Sequence, residues 1–179
     1  MKKTVLTLLI AVCSVVSMSA QIWETFKSLD HEFKVLFPYE PQFQVQKVPS
    51  AVGELDMNMY MATATDLDSD NMLYSVIRSD YPTEMFENPT PEFIKSVLDG
   101  AVNGAVTNVQ GKLLSDETIS FNKFPGRSIK IETTMGLLYI NTYLVNNSMF
   151  ITQVICTPDK DNNESIKRFQ ESFELIKVN

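Results

Sequence analysis

The chain has 179 residues, with 22 acidic side chains against 15 basic ones and a formal charge of −7 at pH 7. That balance argues against nucleic acid and anionic membrane surfaces as partners, since both recruit basic patches. Six glycines occur singly, so no phosphate-cradling loop is present.

Met1-Lys2-Lys3 forms a basic head, Val5 to Val16 an apolar run, and Ser17-Met18-Ser19-Ala20 a small-residue exit. These are the three parts of a secretory signal, and the run is too short for a spanning helix, which needs about 20 residues. Residues 1–20 are therefore expected to be cleaved, leaving 21–179 as one exported domain, periplasmic or extracellular, with no membrane insertion. Cys13 is not a lipidation site, because Val12 precedes it and it sits inside the apolar run. Loss of Lys2 and Lys3 leaves 13 basic against 22 acidic residues. Loss of Cys13 leaves Cys156 alone, which excludes an intrachain disulfide.

The elements follow in chain order. Ile22 to Ser28 and Phe33 to Phe37 flank the polar turn Asp30-His31-Glu32 and predict a hairpin stopped by Pro38. Phe43 to Val48 alternates. After a turn at 52–54, Leu55 to Ala64 places Leu55, Met57, Met59 and Met61 on one strand face. The polar loop Asp66 to Asn71 leads to a strand over 72–79. Thr90 then reads as an N-cap with Pro91 at the first helical position. Phe93, Ile94, Val97, Leu98, Ala101, Val102, Ala105 and Val106 form one apolar stripe. Gly100 and Gly104 weaken that helix and suggest close packing on a sheet. Strands return over 112–121, 127–132, 137–145 and 149–156, with turns at Asn122 to Gly126, Met135-Gly136 and Asn146-Asn147. Ile166, Phe169, Phe173 and Ile176 at helical spacing predict a closing helix within 161–177, capped by Asn162 or Asn163.

This order predicts an α+β fold, an α/β/α sandwich with a central, mostly antiparallel sheet and helices on both faces. It resembles the PsbP-like family, named for an extrinsic subunit of photosystem II and represented among exported bacterial proteins. The resemblance rests on Phe33-Lys-Val-Leu-Phe-Pro38, on Phe124-Pro-Gly-Arg127 as a turn between late strands, and on Phe169-Gln-Glu-Ser-Phe173. It implies a non-catalytic assembly or binding module and carries over no active-site residue or cofactor.

Chemistry-bearing groups are few. Asp66, Asp68 and Asp70 imitate the start of a calcium loop, but Asn71 and Ile77 stand where glycine and glutamate are needed. A solvated hairpin tip fits the Asp66–Asp70 loop better. The Met57–Met61 strand offers three thioethers, suited to Cu(I), yet Leu55 continues the same face as a core strand would. Cys156 ends an apolar strand and reads as core. His31, the one histidine, reads as a solvated turn residue without a zinc partner. Trp23, Phe26, Tyr39 and Phe43 cluster near the mature N-terminus, as packing or as the lining of a partner groove. The expected function is a non-enzymatic binding or assembly module that meets another envelope protein. The rival is a small-molecule or metal carrier with a pocket between sheet and helix. A hydrolase with dispersed carboxylates comes third.

Overall fold

The computed structural model describes residues 22–50, 53–66 and 68–176; the segment 1–20, read above as a signal, lies outside them. Ten strands follow in chain order: β1 (Glu24–Ser28), β2 (Phe33–Phe37), β3 (Gln42–Ser50), β4 (Gly53–Thr63), β5 (Leu73–Asp80), β6 (Lys112–Phe121), β7 (Phe124–Thr133), β8 (Gly136–Val145), β9 (Ser148–Cys156) and β10 (Glu174–Leu175). Helix α1 (Pro91–Asn108) separates β5 from β6, and α2 (Glu164–Glu171) precedes β10. A seven-stranded antiparallel sheet runs β3-β4-β5-β9-β8-β7-β6, and a small sheet runs β1-β2-β10. This is the expected α+β arrangement, with one helix on each face of the large sheet. The small sheet, formed by the β1–β2 hairpin and the C-terminal strand, joins α2 in covering its face.

Strand alternation sorts the large sheet into two unlike faces. On one, Tyr60, Ala62, Tyr74, Val76, Phe150, Val154 and Cys156 bury against Phe33, Val35 and Phe37 of β2, Ile166 and Phe169 of α2, and Phe173. Aromatic edges lock this layer: Phe33 lies 5.2 Å from Tyr60, and Phe37 and Tyr74 each lie 5.2 Å from Phe169. The other face is covered by α1, with Tyr81 and Phe86 packed beside its first half. Leu98 and Val102 of α1 pack over Ile129, Ile131, Leu138, Ile140, Leu144 and Met149. Thr90 caps the helix as expected, its Oγ1 accepting from Phe93 N–H at 3.2 Å.

Three expectations change. The closing helix is eight residues long, capped by Asn163 through Oδ1 and the Ile166 N–H at 3.1 Å. Phe173 lies past its end, stacked on Tyr143 and Phe33, and Glu174–Leu175 adds to the edge of β2. The turn after β6 is only Asn122-Lys123, both at positive φ, so Phe124-Pro-Gly-Arg127 belongs to β7 and not to a turn. Pro125 is tolerated because pairing with β8 begins one residue later, at Gly126. A side chain at Gly126 would be driven into the Thr142 carbonyl oxygen, so the close β7–β8 approach needs glycine there. Finally, a Cβ at Gly100 or Gly104 would meet nothing within 4 Å. These glycines do not serve close packing on the sheet.

Candidate functional site

Helix α1 lies over the β7–β8–β9 side of its face, so the floor made by β4 and β5 is left partly unroofed. The ladder aligns that floor in rows. One row runs Gln44, Met59, Ile77, Ile151, Thr142; beside it Gln46 pairs with Met57, and Ser79 aligns with Met149 and Leu144. Between this floor and the helix is a cavity of about 320 Å³. Its helical wall includes the small residues Ala101, Gly104 and Ala105 together with Val102, Asn108 and Val109, and its far rim is Val48 and Leu55. The residues that surround it include no Asp, Glu, Lys, Arg or His.

The cavity exists because small side chains meet a strand face that the helix does not reach. Small residues on that helical flank carry no bulk to fill the gap, and the two floor methionines are flexible enough to line an irregular space. Polar groups are sparse. Burial holds the Tyr81 hydroxyl above the ordinary tyrosine range, so at neutral pH it is a proton donor. Among the described residues, neither that hydroxyl nor the Gln153 amide takes a protein partner. Beside Gln153 in the ladder is Ser75, only 1 % exposed, whose Oγ has no hydrogen-bond partner. Such a floor can hold an uncharged, mostly apolar molecule and orient it by one or two hydrogen bonds.

The sequence-derived candidates fall elsewhere, with one exception. Of the methionine strand, Met57 and Met59 line the cavity, while Met61 accepts from Gln44 Nε2 at 3.5 Å. Met149, which no sequence pattern singled out, joins them and accepts from Thr142 Oγ1 at 2.8 Å. In the acidic loop, Asp66 Oδ1 accepts the Asp68 N–H at 2.9 Å, and Asp70 Oδ2 accepts from Ser165 Oγ at 2.7 Å. These carboxylates shape a turn and tie it to α2. Among the described residues, no group of three or more His, Cys, Asp or Glu is placed to hold a metal. Cys156 is fully buried at the end of β9, and that burial pushes its thiol up to about 11. It is therefore a thiol, not a thiolate nucleophile, at neutral pH.

His31 differs from its reading as a solvated turn residue. Its Nδ1 lies 2.7 Å from the Tyr60 hydroxyl, which also bonds Ser28 Oγ at 2.9 Å, and its ring sits 5.6 Å from that of Phe43. The turn is anchored to the core side of β4 rather than dissolved in water. The aromatic cluster divides likewise. Trp23 packs edge-on against Tyr74 at 5.4 Å beneath the Arg168 guanidinium. Phe26 packs against Phe33, Phe37 and Tyr60. Tyr39 bonds Ser69 Oγ at 2.8 Å, and Phe43 stays half exposed on β3.

Comparison with solved structures gives the class. The solution structure of cyanobacterial PsbP (CyanoP) from Synechocystis sp. PCC 6803 superposes with a TM-score of 0.52 at 14% identity, over 93% of this chain and 98% of that one. A crystal structure of a protein of unknown function from Pseudomonas aeruginosa aligns at TM-score 0.39 and 10% identity, over 81% and 90% of the two chains. No family model and no curated protein matches the sequence. The chain has a PsbP-like fold, as the early, middle and closing motifs implied. Among its described residues, no helix is long and apolar enough to cross a membrane.

Proposed function

We propose that this protein is an exported, non-enzymatic binding module whose ligand seat is the cavity between α1 and strands β4, β5 and β9. The ligand is a small uncharged molecule with an apolar body and one or two hydrogen-bonding groups. The observation that carries this reading is a space of about 320 Å³ with no formally charged side chain around it, beside a helix flank that includes Ala101, Gly104 and Ala105. General acid–base or nucleophilic chemistry needs a titratable pair in reach of the substrate, and this seat offers only a protonated tyrosine. Export is supported by the signal-like segment 1–20, with the periplasm or the exterior as destination.

A Cu(I) carrier would use the same methionines. The apolar ligand is favoured because Met149 already accepts a hydrogen bond from Thr142 and the rest of the lining is mostly aliphatic. An envelope protein as partner, the role the PsbP-like resemblance implied, would dock outside this seat.

The test is binding of an uncharged environment-sensitive dye, with Gly104→Leu as the blocking variant. A side chain at Gly104 points into open space, so the fold is kept while the seat is filled. Saturable binding by the wild type and a loss of at least about tenfold in the variant, equal to about 1.4 kcal/mol, are expected. Equal binding by both proteins, or none by the wild type, would overturn the seat.

A further inference from the structure

An open sheet has two edges, and here they are finished differently. At β6 the register shifts between Leu113 and Ser115, and Asp116 and Glu117 follow, a bulge and charges of the kind that deter edge pairing. The opposite edge, β3, pairs with β4 over nine residues without a break. The ladder determines which of its backbone groups are free. Ala64 N–H donates to Met72 O at 3.0 Å, so even-numbered residues of β4 bond to β5 and odd-numbered ones to β3. Their β3 partners are Gln42, Gln44, Gln46 and Val48. Phe43, Val45 and Lys47 therefore turn their N–H and C=O groups outward. Pro49, the next outward position, has no N–H to offer and ends the free edge.

We propose that this edge binds a second copy of the chain, β3 against β3 and antiparallel, about a two-fold axis at Val45. The argument is self-complementarity. In this register Val45 faces Val45, and Phe43 faces Lys47 twice on one side of the ribbon. Gln44 faces Gln46 twice on the other side, where paired amides can exchange hydrogen bonds. Phe43 and Val45 are 51% and 52% exposed in the single chain, so pairing removes apolar surface from water. Lys47 brings no unbalanced charge, because Glu54 and Asp56 hold its ammonium at 2.9 and 3.7 Å. Its stem lies against the second copy's Phe43 ring. Centring the pair on Lys47 would oppose two lysines, and centring it on Phe43 would leave Lys47 unmatched. Only the Val45 register matches all three outward residues of both strands.

The proposal does not depend on the ligand seat. Sedimentation of the exported chain from micromolar to millimolar concentration should show a reversible dimer. Val45→Lys, which sets two ammonium groups on the axis, should abolish it while the circular-dichroism melt stays unchanged. Facing residues in such a pair have Cα atoms about 5.5 Å apart, within disulfide reach. Val45→Cys should therefore cross-link under mild oxidation, and Lys47→Cys, about four residues out of step with its own copy, should not. A monomer throughout the concentration range, a dimer that survives Val45→Lys, or equal cross-linking of both cysteine variants would each overturn it. Capture of a different protein by a monomeric β3 edge would do so as well.

Discussion

A methyl group added at Gly104 and one added at Gly126 meet opposite surroundings. The first enters the cavity and touches nothing within 4 Å, while the second collides with the Thr142 carbonyl across the β7–β8 ladder. Gly104→Ala should stabilise the protein by about 1 kcal/mol, because alanine is the better helix former and no atom must move. Gly126→Ala should cost about 1–3 kcal/mol, since the strands must part or the backbone must strain. Urea denaturation of the two variants checks both signs. Nothing in the sequence distinguishes these glycines. A glycine inside a helical stripe and one beside a proline announce an irregularity but not the atoms facing it. For the same reason His31 looked solvated: its partners Tyr60 and Ser28 are distant or unpatterned in sequence, and only the fold brings the three together.

The elements were legible where local chemistry repeats. Thr90 and Pro91 start α1, and the methionine alternation locates β4, because caps and periodicity act between near neighbours. The helical period overshoots the C-terminal helix for a comparable reason. Phe173 and Ile176 continue the helical period, yet Phe173 is buried by stacking and the chain behind it gains a ladder on β2. Tertiary contact decided that boundary through Ser172, whose Oγ donates to Phe169 O at 2.7 Å and accepts the Leu36 N–H at 2.9 Å. Ser172→Ala would leave the Leu36 donor unpaired and is expected to cost about 1–3 kcal/mol. Hydrogen exchange should show that Leu36 and the β2–β10 pair lose protection first. Faster exchange spread evenly over the whole chain would contradict a local role for Ser172. The cavity under α1 was the least legible part. Hydrophobic pattern marks which strand face is buried, but not how far a covering helix extends across it.

For the whole molecule, the ionisable groups set a stability plateau with defined edges. Lys95 and Arg127 hold Asp99 below the ordinary carboxylate value of 3.8, and Lys130 and Tyr139 do so for Asp161. Their folded values are depressed, so what they contribute is present above about pH 4 and lost as pH falls through the folded values. At the other end, burial raises Cys156 from 9.0 to about 11 and Tyr74 from 10.0 to about 12. There the unfolded chain ionises first. Stability is therefore whole below pH 9 and falls as pH rises toward 11 and 12. Urea midpoints should be flat from about pH 5 to pH 8 and drop above pH 9, and Cys156→Ala should soften that drop. An unchanged slope in the variant would assign the alkaline limb to the buried tyrosines and the paired lysines Lys47 and Lys130.

The two unlike faces of the large sheet also bear on how this protein can diversify. The aromatic side, with its interlocked rings and three covering strands, holds the fold together. The side under α1 carries the cavity, lined by side chains such as Met57, Met59 and Ala105. Because a strand's alternate residues face opposite layers, changes at odd positions of β4 and β5 retune the cavity without disturbing Tyr60, Tyr74 or Val76 behind it. The shape of this cavity can thus drift at little cost to folding, and one skeleton could carry cavities of unlike size and lining.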